Sequence, residues 1–247
     1  MSDALGAGTA RRPTFLAEYA DLVRVVVLVG VPVGALAIGL GGRLAMLLLR
    51  LTSPSDVIGV TSDDGFEIGR FTLAGTYNLL NVGVAVGLIG ALACVAVSPW
   101  LIGPAWFRAA TVGLTAGALV GSMIIHADGV DFTLLHPRWL AVGLFLALPA
   151  LVGALLLLLV DRASDPGRPA ARGRRGWLPA APLVLFPLGV AAAAIPVLLG
   201  AAVLVLLGRT VLPPLHRSGT GNLAVRAAFL VIPVLSVLAL GQDLAAL

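Results

Sequence analysis

The sequence predicts an all-α integral membrane protein: a bundle of about six transmembrane helices with a short β-hairpin in the first extracytoplasmic loop. Three observations carry that expectation. Of 247 residues, 59% are hydrophobic and 11% charged, against roughly 25% charged in a soluble domain. Mean hydropathy is +1.05, and the apolar residues fall into runs near the ~20 that a helix needs to cross about 30 Å of hydrocarbon. All four tryptophans, Trp100, Trp106, Trp139 and Trp177, stand at the ends of those runs, where the headgroup layer suits a ring with an apolar body and a polar N–H.

Residues 1–24 read as a cytoplasmic N-terminus with an interfacial amphipathic helix. Phe15, Leu16, Tyr19, Leu22 and Val23 recur on one helical face, and Arg11 and Arg12 before them suit an anionic leaflet. Glu18, Asp21 and Arg24 precede an apolar run that has no small-x-small cleavage site at its end, so removal as an export signal is not expected.

Residues 25–247 then read as a single polytopic membrane domain, with spans at about 25–49, 79–97, 107–125, 139–160, 181–207 and 223–240. The fifth sits in an awkward stretch, 177–207. As one helix it would be about 46 Å long, and Pro196 lies inside it. One long, tilted, kinked span is expected, with a re-entrant hairpin as the rival.

The hairpin is expected at residues 58–70. Asp63-Asp64-Gly65 suits a three-residue loop with Gly65 in the left-handed position. That register sets Val60 opposite Ile68, and Thr61 opposite Glu67.

Arginine sets the orientation. The segment 161–176, an Arg-rich loop with Arg162, Arg168, Arg172, Arg174 and Arg175, is expected in the cytoplasm. Counting back puts the N-terminus on that side too, as a multi-pass protein of the plasma membrane. Arg209, Arg217 and Arg226 dissent: a single crossing at span five would leave them outside.

Loops one and three are two crossings apart, so they share a face whichever way the chain is inserted. That face gathers a candidate polar site of Arg43, Asp63, Asp64, Glu67, His126, Asp128, Asp131 and His136. Such residues can ligate a metal, whose identity the spacing leaves unknown; polar loops are also simply what water requires. Arg43 follows Gly39, Gly41 and Gly42. If its helix continues, it needs an acidic partner such as Asp63, Asp64 or Glu67, or it snorkels to headgroup phosphates.

Glycines four apart, at Gly30 and Gly34, Gly83 and Gly87, and Gly113, Gly117 and Gly121, line single helix faces and let backbones approach. All sixteen basic residues are Arg, which matches coding from a GC-rich bacterial genome. They flank membrane spans, so a pI near 10.5 does not imply nucleic acid. No Gly-x-Ser-x-Gly elbow, His-Glu-x-x-His or phosphate loop occurs, and Cys94 is alone. No catalytic residue and no cofactor is assigned. The expected partners are the bilayer, anionic lipid at the cytoplasmic face, and another membrane protein.

Three functions fit. The first is a non-catalytic accessory, assembly or signalling subunit of a bacterial plasma membrane, with a filled bundle. The second is a small transporter or channel with a polar midplane path, disfavoured by the near absence of charge within the spans. The third is an intramembrane enzyme acting on a lipid or isoprenoid, with a carboxylate-lined cleft.

Overall fold

The computed structural model describes residues 13–54, 57, 59–60, 71–125, 135–165 and 183–246, with backbone alone at 216–217, 219–220, 222, 225, 228–230 and 243–246. Thr14 opens the first helix: its backbone is extended and its hydroxyl accepts the Ala17 N–H at 3.3 Å. Helix α1 (Phe15–Val33) passes into a π-helical segment (Gly34–Leu40) and then α2 (Gly41–Thr52). The whole is one 38-residue run, Phe15–Thr52.

The interfacial helix and the first span are therefore continuous through the boundary expected at residue 24. No glycine or proline stands between Phe15 and Val29 to break the run. Arg24 is buried in that helix, with Asp21 one turn away at 3.4 Å.

The Thr72 hydroxyl caps α3 (Leu73–Val97) by accepting the Gly75 N–H at 3.1 Å, and α3 ends in a 3₁₀ turn, Ser98–Trp100. Next come α4 (Ala105–Ile124), α5 (Arg138–Ala163), α6 (Pro187–Thr210), the short α7 (Leu212–Arg217) and α8 (Gly219–Ala246). Five runs are long and apolar enough to cross a bilayer: Phe15–Thr52, Leu73–Trp100, Ala105–Ile124, Arg138–Ala163 and Pro187–Thr210. Among the described residues of α8 the apolar stretch is Val231–Gln242, shorter than these.

Leu114, Leu151 and Ile195, each in mid-helix, are 71%, 68% and 71% exposed. Water would penalise such a belt and hydrocarbon does not. The chain is a multi-pass, all-helical membrane protein; no strand occurs among the described residues. Of the hairpin expected at 58–70, only Gly59 and Val60 are described, in a turn where the Val60 N–H donates to Val57 C=O at 3.3 Å. The remainder lies outside the described residues.

Helix α3 is central. It runs antiparallel to α1, with Gly30 against Gly87 and Leu88, and Gly34 against Gly83. A methyl group on Gly30 would stand 2.7 Å from Leu88 Cα, so the two backbones touch only because side chains are missing. Helices α4 and α5 are antiparallel in the same manner, Gly113 facing Ala150 and Gly117 facing Leu146. Val26, Val84, Leu157 and Val160 fill the core between α1, α3 and α5.

Both α5 and α6 run parallel to α3. Gly90 meets Leu156 and Ser98 meets Asp161 along α5; Asn81 meets Gly189 and Leu92 meets Gly200 along α6. One face of the bundle, the amino-terminal face, therefore holds the start of α1 and the ends of α3, α5 and α6. The far face holds the end of α2 and the starts of α3, α5 and α6. Asp165 and Leu183, which flank residues 166–182, lie on opposite faces. They are separated by the length of α3 from Tyr77 to Ser98, about 32 Å.

This corrects the direction expected for span five. Arg209 does not lie with Ser53 and His136, the described parts of loops one and three, but beside Glu18 on the amino-terminal face. Counting apolar runs assumes that each reverses the chain, and α5 and α6 do not alternate. Arg162 lies exposed on the amino-terminal face, while Arg168, Arg172, Arg174 and Arg175 fall outside the described residues.

Candidate functional site

The far-face site predicted from loops one and three is described only in part. Asp63, Asp64, Glu67, His126, Asp128 and Asp131 lie outside the described residues. The two loops do meet: the Ser53 hydroxyl donates to the His136 carbonyl at 3.3 Å and accepts the His136 N–H at 2.9 Å. Arg43 sits on a helix that continues to Thr52, with its guanidinium 6.0 Å from the centre of the Phe71 ring. Among the described residues, no group of three or more His, Cys, Asp or Glu is placed to hold a metal.

The amino-terminal face carries a denser polar cluster, one that motif reading missed. Arg108 spans both oxygens of Asp161, each at 3.2 Å. Ser98 joins them: its hydroxyl donates to Asp161 Oδ1 at 2.7 Å and accepts from Arg108 at 2.8 Å, and its carbonyl accepts from Arg108 at 3.1 Å. The cluster ties α3, α4 and α5 at their ends. The sequence signal was available, since loops two and four share a face by the same parity that linked loops one and three. Nearby, Arg209 bonds Glu18 at 2.8 Å and the Pro13 carbonyl at 2.6 Å, and lies 5.7 Å from the Phe15 ring centre.

Asn81, buried in α3, accepts the Gly189 N–H at 3.0 Å and donates to the Tyr77 carbonyl at 2.8 Å. The Gly189 N–H belongs to the first turn of α6, where donors have no partner within the helix. A side chain of α3 thus caps α6, and Tyr77 adds a bond to the Leu185 carbonyl at 2.9 Å.

A cavity of about 770 Å³, a groove open to the outside of the bundle, lies between α3, α4 and α5, with α2 bordering one end and α8 one side. It extends from Met46 and Leu49 at the far face to Trp100 and Phe107 at the amino-terminal face. Small residues stand in its wall: Gly90 and Ala93 on α3, Ala116 on α4 and Gly153 on α5, with Gly90 closed against Leu156 and Gly153 against Ala116. Thr111 and Thr115 line it too, but their hydroxyls donate to Phe107 and Thr111 carbonyls in their own helix, at 2.9 and 2.8 Å. Arg226 of α8 is the one charged residue among those described as lining the cavity.

An apolar cavity of this size in a membrane bundle, without acids among its described lining residues, can hold a hydrocarbon chain. That described lining has no carboxylate or histidine, and Cys94 adds one buried thiol. The chain matches no family model, no curated protein and no solved structure.

Proposed function

We propose that this protein is a non-catalytic accessory subunit of a bacterial plasma membrane whose bundle, not filled as that reading expects from sequence, accommodates the chain of a membrane lipid. The amino-terminal face is cytoplasmic, α8 is the sixth span, and a hairpin at 58–70 caps the far side. Arg162, with Arg168, Arg172, Arg174 and Arg175, attracts anionic headgroups or an acidic partner protein.

The observation that carries the reading is the cavity, about 770 Å³ and bounded almost wholly by apolar side chains. A transporter needs polar groups along its path, and the threonine hydroxyls that could supply them bond back into α4. An enzyme acting on a lipid needs carboxylates or histidines at the cleft, and the described lining has neither. The positive-inside tendency supports the orientation, because Arg24, Arg108, Arg162 and Arg209 belong to the amino-terminal face, against Arg50 and Arg138 on the far face.

The test is lipid retention. The protein is purified in mild detergent, delipidated by extended washing, and assayed by mass spectrometry for lipid that survives. Wild type should retain lipid, and Ala93→Phe, which sends a ring into the cavity from an exposed position on α3, should not. Equal retention by both, or none by either, contradicts the proposal.

A further inference from the structure

We infer that the lipid held in the groove is an anionic phospholipid, its phosphate on Arg226 at the amino-terminal face and its chain directed toward Met46; this rests on the reading of the groove as a lipid site. Leu240 of α8 packs near Gly121 and into the cluster with Ile125 and Leu135 at the far face. Arg226 stands fourteen residues earlier in the same helix, about 21 Å back toward the amino-terminal face. It shares the cavity wall there with Trp100 and Phe107.

Its Nε is fully buried and has no hydrogen-bond partner among the described residues. The side chain as a whole is half-buried, and a guanidinium at the edge of an apolar space is suited to an anion. The described lining offers no carboxylate, and an anionic occupant of the space would supply the counter-charge. The shape of the demand is one charged end and a long apolar remainder. Free phosphate or a nucleotide satisfies the first and not the second; a neutral chain satisfies the second and not the first. A phospholipid satisfies both, with the guanidinium suited to paired bonds to phosphate oxygens. A headgroup with net negative charge is preferred over a zwitterionic one, because no acid lines the site to receive a headgroup cation.

Native mass spectrometry of the full-length, delipidated protein tests this with phosphatidylglycerol and phosphatidylcholine of identical chains. Wild type is expected to form a one-to-one adduct with phosphatidylglycerol at concentrations on the order of tenfold lower than with phosphatidylcholine. Arg226→Gln should bind both alike, and Arg226→Lys should keep most of the preference. Equal binding of the two lipids by wild type overturns the headgroup assignment while leaving the groove as a lipid site. No adduct with either lipid, or adducts unaffected by Ala93→Phe, overturns both. The wild-type comparison stands even if Arg226→Gln fails to fold.

Discussion

Arg209 and Glu18 meet at 2.8 Å across 191 positions of sequence, which places the end of α6 beside the beginning of α1. Ser53 and His136 make the corresponding link on the far face. Single cysteines report this directly, in a Cys94→Ala background that removes a buried thiol. Positions 18, 161 and 209 should label from one compartment with a membrane-impermeant reagent, and positions 53 and 136 from the other. Labelling of 209 together with 53 contradicts the direction assigned to α6.

Asn81 predicts a stability effect confined to α6. Asn81→Leu leaves the Gly189 N–H without its acceptor in a buried setting. Interhelical bonds of this kind in membranes are worth about 0.6 kcal/mol on average and up to about 1.7. A loss of about 1–2 kcal/mol is expected, since an orphaned donor also keeps its desolvation penalty. Equilibrium unfolding in mixed micelles measures it. Protease sensitivity should rise first around α6.

The glycine seam predicts a contrast between two like substitutions. Gly30→Ala puts a methyl 2.7 Å from backbone of α3 and forces the helices apart, at about 1–3 kcal/mol. Gly143→Ala, in α5 with nothing within 4 Å of the new methyl, should be neutral or stabilising by up to about 1 kcal/mol. Thermal unfolding of the two variants side by side checks the difference. Equal effects would mean that α1 and α3 are not in contact at Gly30.

Asp161 predicts a coupled pair. Arg108 and Asp161 are 22% and 23% exposed, sheltered enough that their bidentate geometry matters. Asp161→Ala should cost about 1–3 kcal/mol, the range for losing hydrogen bonds to a charged group. In the double variant Arg108→Ala/Asp161→Ala the loss should be smaller than the sum of the singles. Additive losses in a double-mutant cycle would show that the two residues do not interact.

Hydropathy made the spans legible. The expected 107–125 and 139–160 are matched by Ala105–Ile124 and Arg138–Ala163, because lipid leaves the chain few ways to satisfy its backbone except helix. Hydropathy did not show that the charged segment before Val25 joins the first span in one helix, with Arg24 buried and Asp21 at 3.4 Å. The direction of α6 was illegible because it depends on Asn81 and Tyr77 receiving its first turn, a tertiary pairing with no periodicity of its own.

The groove was illegible for another reason. Gly90, Ala93, Ala116 and Gly153 are unremarkable in a chain with 30 glycines, and that they share one wall depends on how three helices pack. Arg226 stood in the sequence as an exception to the orientation rule, and its place in the cavity wall was not readable from that. The far-face acids Asp63, Asp64, Glu67, Asp128 and Asp131 and the residue His126 lie outside the described residues. The meeting of Ser53 and His136 is what parity alone could promise.

Electron cryomicroscopy of the protein in a lipid nanodisc, with a fiducial binder for size, tests the central claim most directly. The account predicts a continuous rod of non-protein density between α3, α4 and α5, running from Met46 to Arg226 and thickening at the guanidinium. Helices α3, α4 and α5 packed together with their side chains filling that space would contradict it.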